Sequence, residues 1–181
     1  MNGKACYRRP MFDLANAYRP LVGKTLDAIA WRPMRSDTQG VVADLDGPTL
    51  EFTGAVSLFF GADEIALSWF NGSDGDYHLY AYKPSDWLPF SLDLVHASTE
   101  LPWGELVGAR MVEVEFFTHP TIPEQCVAAR HVFARASQDI EVWIGVGANG
   151  RMEGSDDLVA RIAAKPDNLD ELKLMEALRS Q

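Results

Sequence analysis

Hydrophobic and polar positions alternate along most of this chain. Val56, Leu58 and Phe60 alternate with Ser57 and Phe59. Ile65, Leu67 and Trp69 alternate with Ala66, Ser68 and Phe70, and Gly61-Ala62-Asp63-Glu64 joins the two runs. A period of two puts every second side chain on one face of an extended backbone, so both runs predict strands. The same pattern predicts strands over Tyr77–Tyr82, Met111–Phe117, Cys126–Ala134 and Ile140–Val146. Residues 25–33 read as a strand after a turn at Gly23, and Val41–Leu45 and Thr49–Thr53 flank Asp46-Gly47, a hairpin signal. Asn71–Asp76 reads as a turn, and Gly147-Ala148-Asn149-Gly150 as another.

Helical signals are few. Residues 13–19 predict a short helix or turn that ends before Pro20, because the residue preceding a proline avoids helical geometry. Leu169, Leu172, Met175 and Leu178 recur every third residue after Pro166, which predicts a C-terminal amphipathic helix over 170–181. Residues 157–164 fit two states. Ser155 with Asp156 and Asp157 resembles a helix start, whereas an internal repeat aligns the stretch with the strand at 77–82. The repeat favours the strand.

That repeat is the most informative feature. Phe12-Asp13-Leu14-Ala15-Asn16-Ala17 matches Leu92-Asp93-Leu94-Val95-His96-Ala97. Leu21-Val22-Gly23-Lys24-Thr25-Leu26 matches Leu106-Val107-Gly108-Ala109-Arg110-Met111, and Lys83-Pro84-Ser85-Asp86-Trp87 matches Lys165-Pro166-Asp167-Asn168-Leu169. The offsets are 80, 85 and 82. The chain therefore divides into a basic N-terminal arm (1–11), a first β repeat (12–91), a second β repeat (92–169) packed with the first as one body, and the C-terminal helix (170–181). The expected class is mainly β (α+β), an antiparallel two-sheet, sandwich-like body with pseudo-twofold symmetry.

Composition adds limits. At 47% hydrophobic and 23% charged the 181 residues are ordinary for a globular protein, and no run of 18 apolar residues is present to cross a membrane. The net charge is −10, and it is unevenly spread. Residues 1–35 hold seven Lys and Arg against Asp13 and Asp27, a net +5, which leaves −15 on residues 36–181. Such a body repels phosphate backbones and anionic membranes and disfavours a nucleic-acid partner. Cys6 and Cys126 are too few and too far apart for a disulfide scaffold, and the basic residues Lys4, Arg8 and Arg9 precede no apolar segment, so the chain reads as cytoplasmic.

Motif chemistry is sparse. Asn71-Gly72-Ser73-Asp74-Gly75-Asp76 fails as a calcium loop, because Gly75 and Tyr82 stand where oxygen ligands are needed. His119, Cys126 and His131 have no zinc-motif spacing, and Cys126 and His131, five apart on a strand, point to opposite faces and make no nucleophile–base pair. Carboxylates two apart, Asp44/Asp46, Asp74/Asp76 and Glu113/Glu115, share a strand face but read as solvated surface. No metal and no cofactor is expected.

What remains is surface. Alternation places His78, Tyr80 and Tyr82 on one face of their strand and Leu79 on the other. With Asp74 and Asp76 in the adjoining turn they make an aromatic patch with an acidic rim, suited to Arg and Lys side chains. The leading expectation is a non-catalytic acidic binding protein whose partner is another protein, possibly a basic one, in the manner of inhibitor or immunity proteins. The alternative is a small-molecule binder or hydrolase with a cleft between the repeats near Asp93, His96 and Glu100.

Overall fold

The computed structural model describes residues 14–33, 48–71, 77–82, 95–96, 102–155 and 157–181, with the backbone alone at Pro33, Phe52, Val95 and His96. Among these residues the fold is antiparallel β with a single short helix, α1 (Leu14–Tyr18). The strands in chain order are β1 (Ala28–Pro33), β2 (Thr49–Phe52), β3 (Gly54–Phe60), β4 (Asp63–Asn71), β5 (Tyr77–Tyr82), β6 (Val95–His96), β7 (Arg110–Thr118), β8 (Ala128–Arg135), β9 (Gln138–Val146), β10 (Leu158–Ile162) and β11 (Lys173–Arg179).

They form two sheets. The first has the order β5-β4-β3-β1-β6 and the second β11-β7-β8-β9-β10-β2. The alternation in the sequence explains which faces meet. Ile29, Trp31, Val56, Leu58, Phe60, Ile65, Leu67 and Leu79 from the first sheet share one core with Met111, Val114, Phe116, Phe133, Ile140, Val142, Ile144 and Ile162 from the second. Trp31 and Trp103, both fully buried, pack edge to face at 5.1 Å between β1 and a 3-10 turn at Trp103–Leu106. On the outer face of the first sheet, Ala55, Ala66 and Tyr82 form a small separate cluster with Tyr80.

The two Leu-Val-Gly segments meet at an isolated antiparallel bridge between Thr25 and Arg110. Gly23 N–H donates to the Met111 carbonyl at 2.7 Å and Gly108 N–H to the Leu26 carbonyl at 2.8 Å. Leu26 N–H donates to Ala109 and Met111 N–H to Lys24, both at 2.9 Å. Both glycines have positive φ, +93° and +84°, a conformation that L side chains rarely adopt.

Several expectations are redrawn by the structure. No helix forms over 170–181. A 3-10 turn at Leu169–Glu171 leads into β11, which pairs with β7. A three-residue recurrence of apolar positions does not by itself select a helix, and here hydrogen bonding to the edge of β7 decides the state. Of the seven residues of β11 only Leu178 is buried, opposite Val114. Residues 158–162 are a strand, between β9 and β2. The hairpin about Asp46-Gly47 lies outside the described residues except for β2, whose described partner is β10. The turn after β9 is a tight one. Ala148 pairs with Arg151, and Asn149 and Gly150 have φ of +53° and +74°, both in the left-handed region that two-residue hairpins use.

Candidate functional site

Leu79 and Ala81 enter the core, which sends His78, Tyr80 and Tyr82 to the outer face of the first sheet. There they meet the alternate residues of β4: Phe70 lies opposite His78, Ser68 opposite Tyr80, and Ala66 opposite Tyr82. The rings make a ladder along the sheet. Phe70 and His78 are 5.3 Å apart, Phe70 and Tyr80 5.6 Å, and Tyr80 and Tyr82 4.9 Å, the last edge to face. Tyr82 is buried and its hydroxyl donates to the Trp69 carbonyl at 2.9 Å. Phe70, His78 and Tyr80 are half-buried. Asp74 and Asp76, the expected acidic rim, lie outside the described residues.

Beside the ladder the outer face holds an ion pair that sequence reasoning missed. Arg32 is buried, donates through Nε to Ser57 Oγ at 2.9 Å, and donates through an Nη to Glu64 at 2.8 Å. Alternation places Arg32, Ser57 and Glu64 on one face, but nothing in the sequence marks that they are neighbours on adjoining strands.

Of the alternative cleft, Asp93 and Glu100 lie outside the described residues. His96 is placed by its backbone opposite Ala30.

His119, Cys126 and His131 do not gather. The Cys126 thiol donates to the Ala128 carbonyl at 3.2 Å, and desolvation pushes it up to about 12, so it stays protonated. His131 is fully buried and shares a 2.7 Å hydrogen bond with the Tyr18 hydroxyl. His119 instead meets Glu171, its Nε2 2.9 Å from a carboxylate oxygen, and among the described residues His119, Glu153 and Glu171 have ligand atoms within 4.8 Å of one another. Arg151 already bridges the two glutamates, at 2.9 Å to Glu153 and 3.0 Å to Glu171. Its guanidinium supplies the positive charge that a cation would bring. Nδ1 of His119 lies 2.7 Å from the Thr121 hydroxyl and 3.3 Å from the Thr121 amide nitrogen, which fixes the ring against the turn.

Glu113 and Glu115 flank Arg130 on the outer face of the second sheet. Arg130 donates to Glu115 at 2.7 Å and to Glu141 at 2.6 Å, and Glu113 lies 3.6 Å away. The contact with Arg130 holds the Glu141 carboxyl below the usual carboxylate range. All three carboxylates lie within 4 Å of the Arg130 guanidinium. An open depression of about 460 Å³ lies nearby, lined by Glu105, Asp139, Glu141 and Lys165 with Ile140 and Ile162. No helix among the described residues is long and apolar enough to cross a membrane. No family model, curated protein or solved structure matches this chain.

Proposed function

We propose that this chain is a non-catalytic binding protein that acts in the cytoplasm and engages a cationic protein partner. The observation that carries the reading is the ring ladder of Phe70, His78 and Tyr80, half-buried on the outer face of the first sheet. Aromatic faces attract Arg and Lys side chains, and aromatic residues are the commonest anchors of protein interfaces. A body of net −15 over residues 36–181 steers a basic partner toward it. Asp74 and Asp76, which stand between β4 and β5 in the sequence, belong to the proposed binding set. Glu113, Glu115 and Glu141 are held by Arg130, and Glu153 and Glu171 by Arg151, which supports the non-catalytic reading.

The proposal includes a tandem duplication of the units 12–91 and 92–169. Its support is the correspondence between the two sheets. An offset of 85 exchanges the hydrogen bonds Gly23–Met111 and Gly108–Leu26, the bonds Leu26–Ala109 and Met111–Lys24, and the bonds Lys24–Leu21 and Ala109–Leu106. The order β5-β4-β3-β1-β6 of one sheet also runs parallel to β10-β9-β8-β7-β11 in the other.

An arginine-rich peptide labelled for fluorescence anisotropy tests the binding reading, titrated at about 0.05 M and about 0.5 M salt. Saturable binding that weakens at least tenfold at high salt, and again with Tyr80→Ala, supports it. Absence of saturable binding at low salt, or binding indifferent to Tyr80→Ala, rejects it.

A further inference from the structure

Three segments that lie apart in the chain bring metal-ligating side chains together. His119 follows β7, Glu153 lies in the loop between β9 and β10, and Glu171 ends the 3-10 turn before β11. One ligand atom from each lies within 4.8 Å of the other two. Spacings of 34 and 18 positions match no sequence motif, so the sequence alone carries no sign of the cluster. An imidazole with two carboxylates suits zinc and similar divalent ions of the first transition row, whereas calcium and magnesium take oxygen ligands.

The imidazole is the fixed member. His119 is buried, in a turn closed by its bridge to Ile122 and by the Thr118 hydroxyl, which donates to the Ile122 carbonyl at 2.8 Å. Its Nε2 faces Glu171 at 2.9 Å, while Nδ1 lies against the Thr121 hydroxyl at 2.7 Å. A histidine that binds metal through one ring nitrogen donates the N–H of the other to a neighbouring oxygen, and the Thr121 hydroxyl stands where that oxygen is needed. The carboxylates are the adjustable members. Both side chains are 41% exposed, free to close by the roughly 1 Å that zinc bonds of about 2.0–2.2 Å require.

Arg151 is the competitor. It spans the two carboxylates at 2.9 and 3.0 Å and is itself 38% exposed. Ion pairs between such exposed groups are worth little, so the long side chain moves into solvent at small cost. A dication brings twice the charge to the same carboxylates and adds a bond to the imidazole. We infer that His119, Glu153 and Glu171 form a zinc site at which the ion exchanges with the Arg151 guanidinium. The bound ion joins the end of β7, the loop after β9 and the start of β11.

Isothermal titration of zinc chloride into the tag-free full chain, stripped beforehand with chelator, tests this. One equivalent should bind with micromolar affinity, and about 1 mM magnesium should not compete. His119→Gln and Glu171→Gln should each weaken zinc at least about tenfold. Arg151→Ala should tighten it at least about threefold, because the competing guanidinium is gone, a response that an ion adventitiously bound elsewhere on the surface would not show. Glu171 and Arg151 are partly exposed, so their variants should keep the fold even if His119→Gln does not, and far-ultraviolet circular dichroism verifies this. Absence of binding at about 100 µM zinc, zinc held as tightly by Glu171→Gln or by folded His119→Gln, or zinc held no more tightly by Arg151→Ala overturns the proposal.

Discussion

Tyr18 and His131, 113 positions apart, share a 2.7 Å hydrogen bond in the interior. The other ring nitrogen of His131 lies 3.2 Å from the Val142 carbonyl, which only accepts, so Nδ1 carries the proton and Nε2 accepts from the Tyr18 hydroxyl. Both polar groups are satisfied while the imidazole is neutral. The pair ties α1 to β8, and the Tyr18 ring packs against Phe116 of β7 at 5.6 Å.

A pH dependence follows from that geometry. Burial lowers the His131 imidazole from its ordinary 6.5 to about 4, so the folded protein resists the proton that the unfolded chain accepts. Between those values the unfolded state binds more protons, and stability falls as pH falls. The contribution is complete above about pH 6.5 and is lost by about pH 4, roughly 3 kcal/mol in all. Urea denaturation at pH 7, 5.5 and 4.5 measures the slope. His131→Gln should flatten it, and parallel profiles for the two proteins would refute the assignment.

Asn168 is a second buried polar group with a defined task. Its side-chain oxygen accepts from the Met152 N–H at 2.9 Å, and its amide nitrogen donates to the Met152 carbonyl at 3.2 Å. One side chain thereby satisfies both backbone groups of a fully buried residue. Asn168→Ala should lose about 2–4 kcal/mol in denaturant titrations. Asn168→Asp should lose at least as much at neutral pH, since a carboxylate has no proton to offer the carbonyl. A loss under about 0.5 kcal/mol for either change would show that water replaces the amide at no cost.

The strands were readable because their cause is local. In β3, β4 and β9 the two-residue period is visible in the sequence itself and the core takes the faces it predicts, whereas in β7 a register shift between Met111 and Glu113 puts Met111 rather than Val112 in the core beside Val114 and Phe116. β11 is not legible in the sequence because Leu169, Leu172, Met175 and Leu178 satisfy a helical period, while the edge of β7 that recruits the segment is a property of the assembled sheet. The polar pairs were hidden for the same reason. Arg32 with Glu64, His119 with Glu171 and Tyr18 with His131 are separated by 32, 52 and 113 positions, and no spacing rule links them. The ring ladder was half legible. Alternation placed His78, Tyr80 and Tyr82 on one face, but Phe70 joins them only through the register of β4 with β5.

Glycines with different surroundings should respond differently to the same substitution. A Cβ on Gly147 would lie 1.7 Å from the Arg151 carbonyl oxygen, backbone that has nowhere to go in a two-residue turn. Gly147→Ala should therefore cost more than about 3 kcal/mol or prevent folding. Gly61 has φ +65° and open space around it, so Gly61→Ala should cost only about 1–2 kcal/mol of backbone strain. Thermal melts of the two variants decide the matter, and equal shifts would mean that the turn after β9 relaxes to admit a methyl group.

Neighbouring rings of the ladder should separate under mutation. Tyr82 is buried over Ala55 and Ala66 and spends its hydroxyl on the Trp69 carbonyl, so its contribution is to the fold. Tyr82→Phe should cost about 1 kcal/mol of stability for the lost hydrogen bond, and Tyr82→Ala about 2–4 kcal/mol for the lost ring. Tyr80 is half-buried between Phe70 and Tyr82 and leaves part of its ring at the surface. Tyr80→Ala should lower stability by less than about 2 kcal/mol while weakening the arginine-rich peptide about tenfold, a binding loss of about 1.4 kcal/mol. Denaturant titration and anisotropy on the same preparations read both quantities. If Tyr80→Ala costs as much stability as Tyr82→Ala and leaves binding unchanged, the ladder is core alone, and the partner surface lies elsewhere on the molecule.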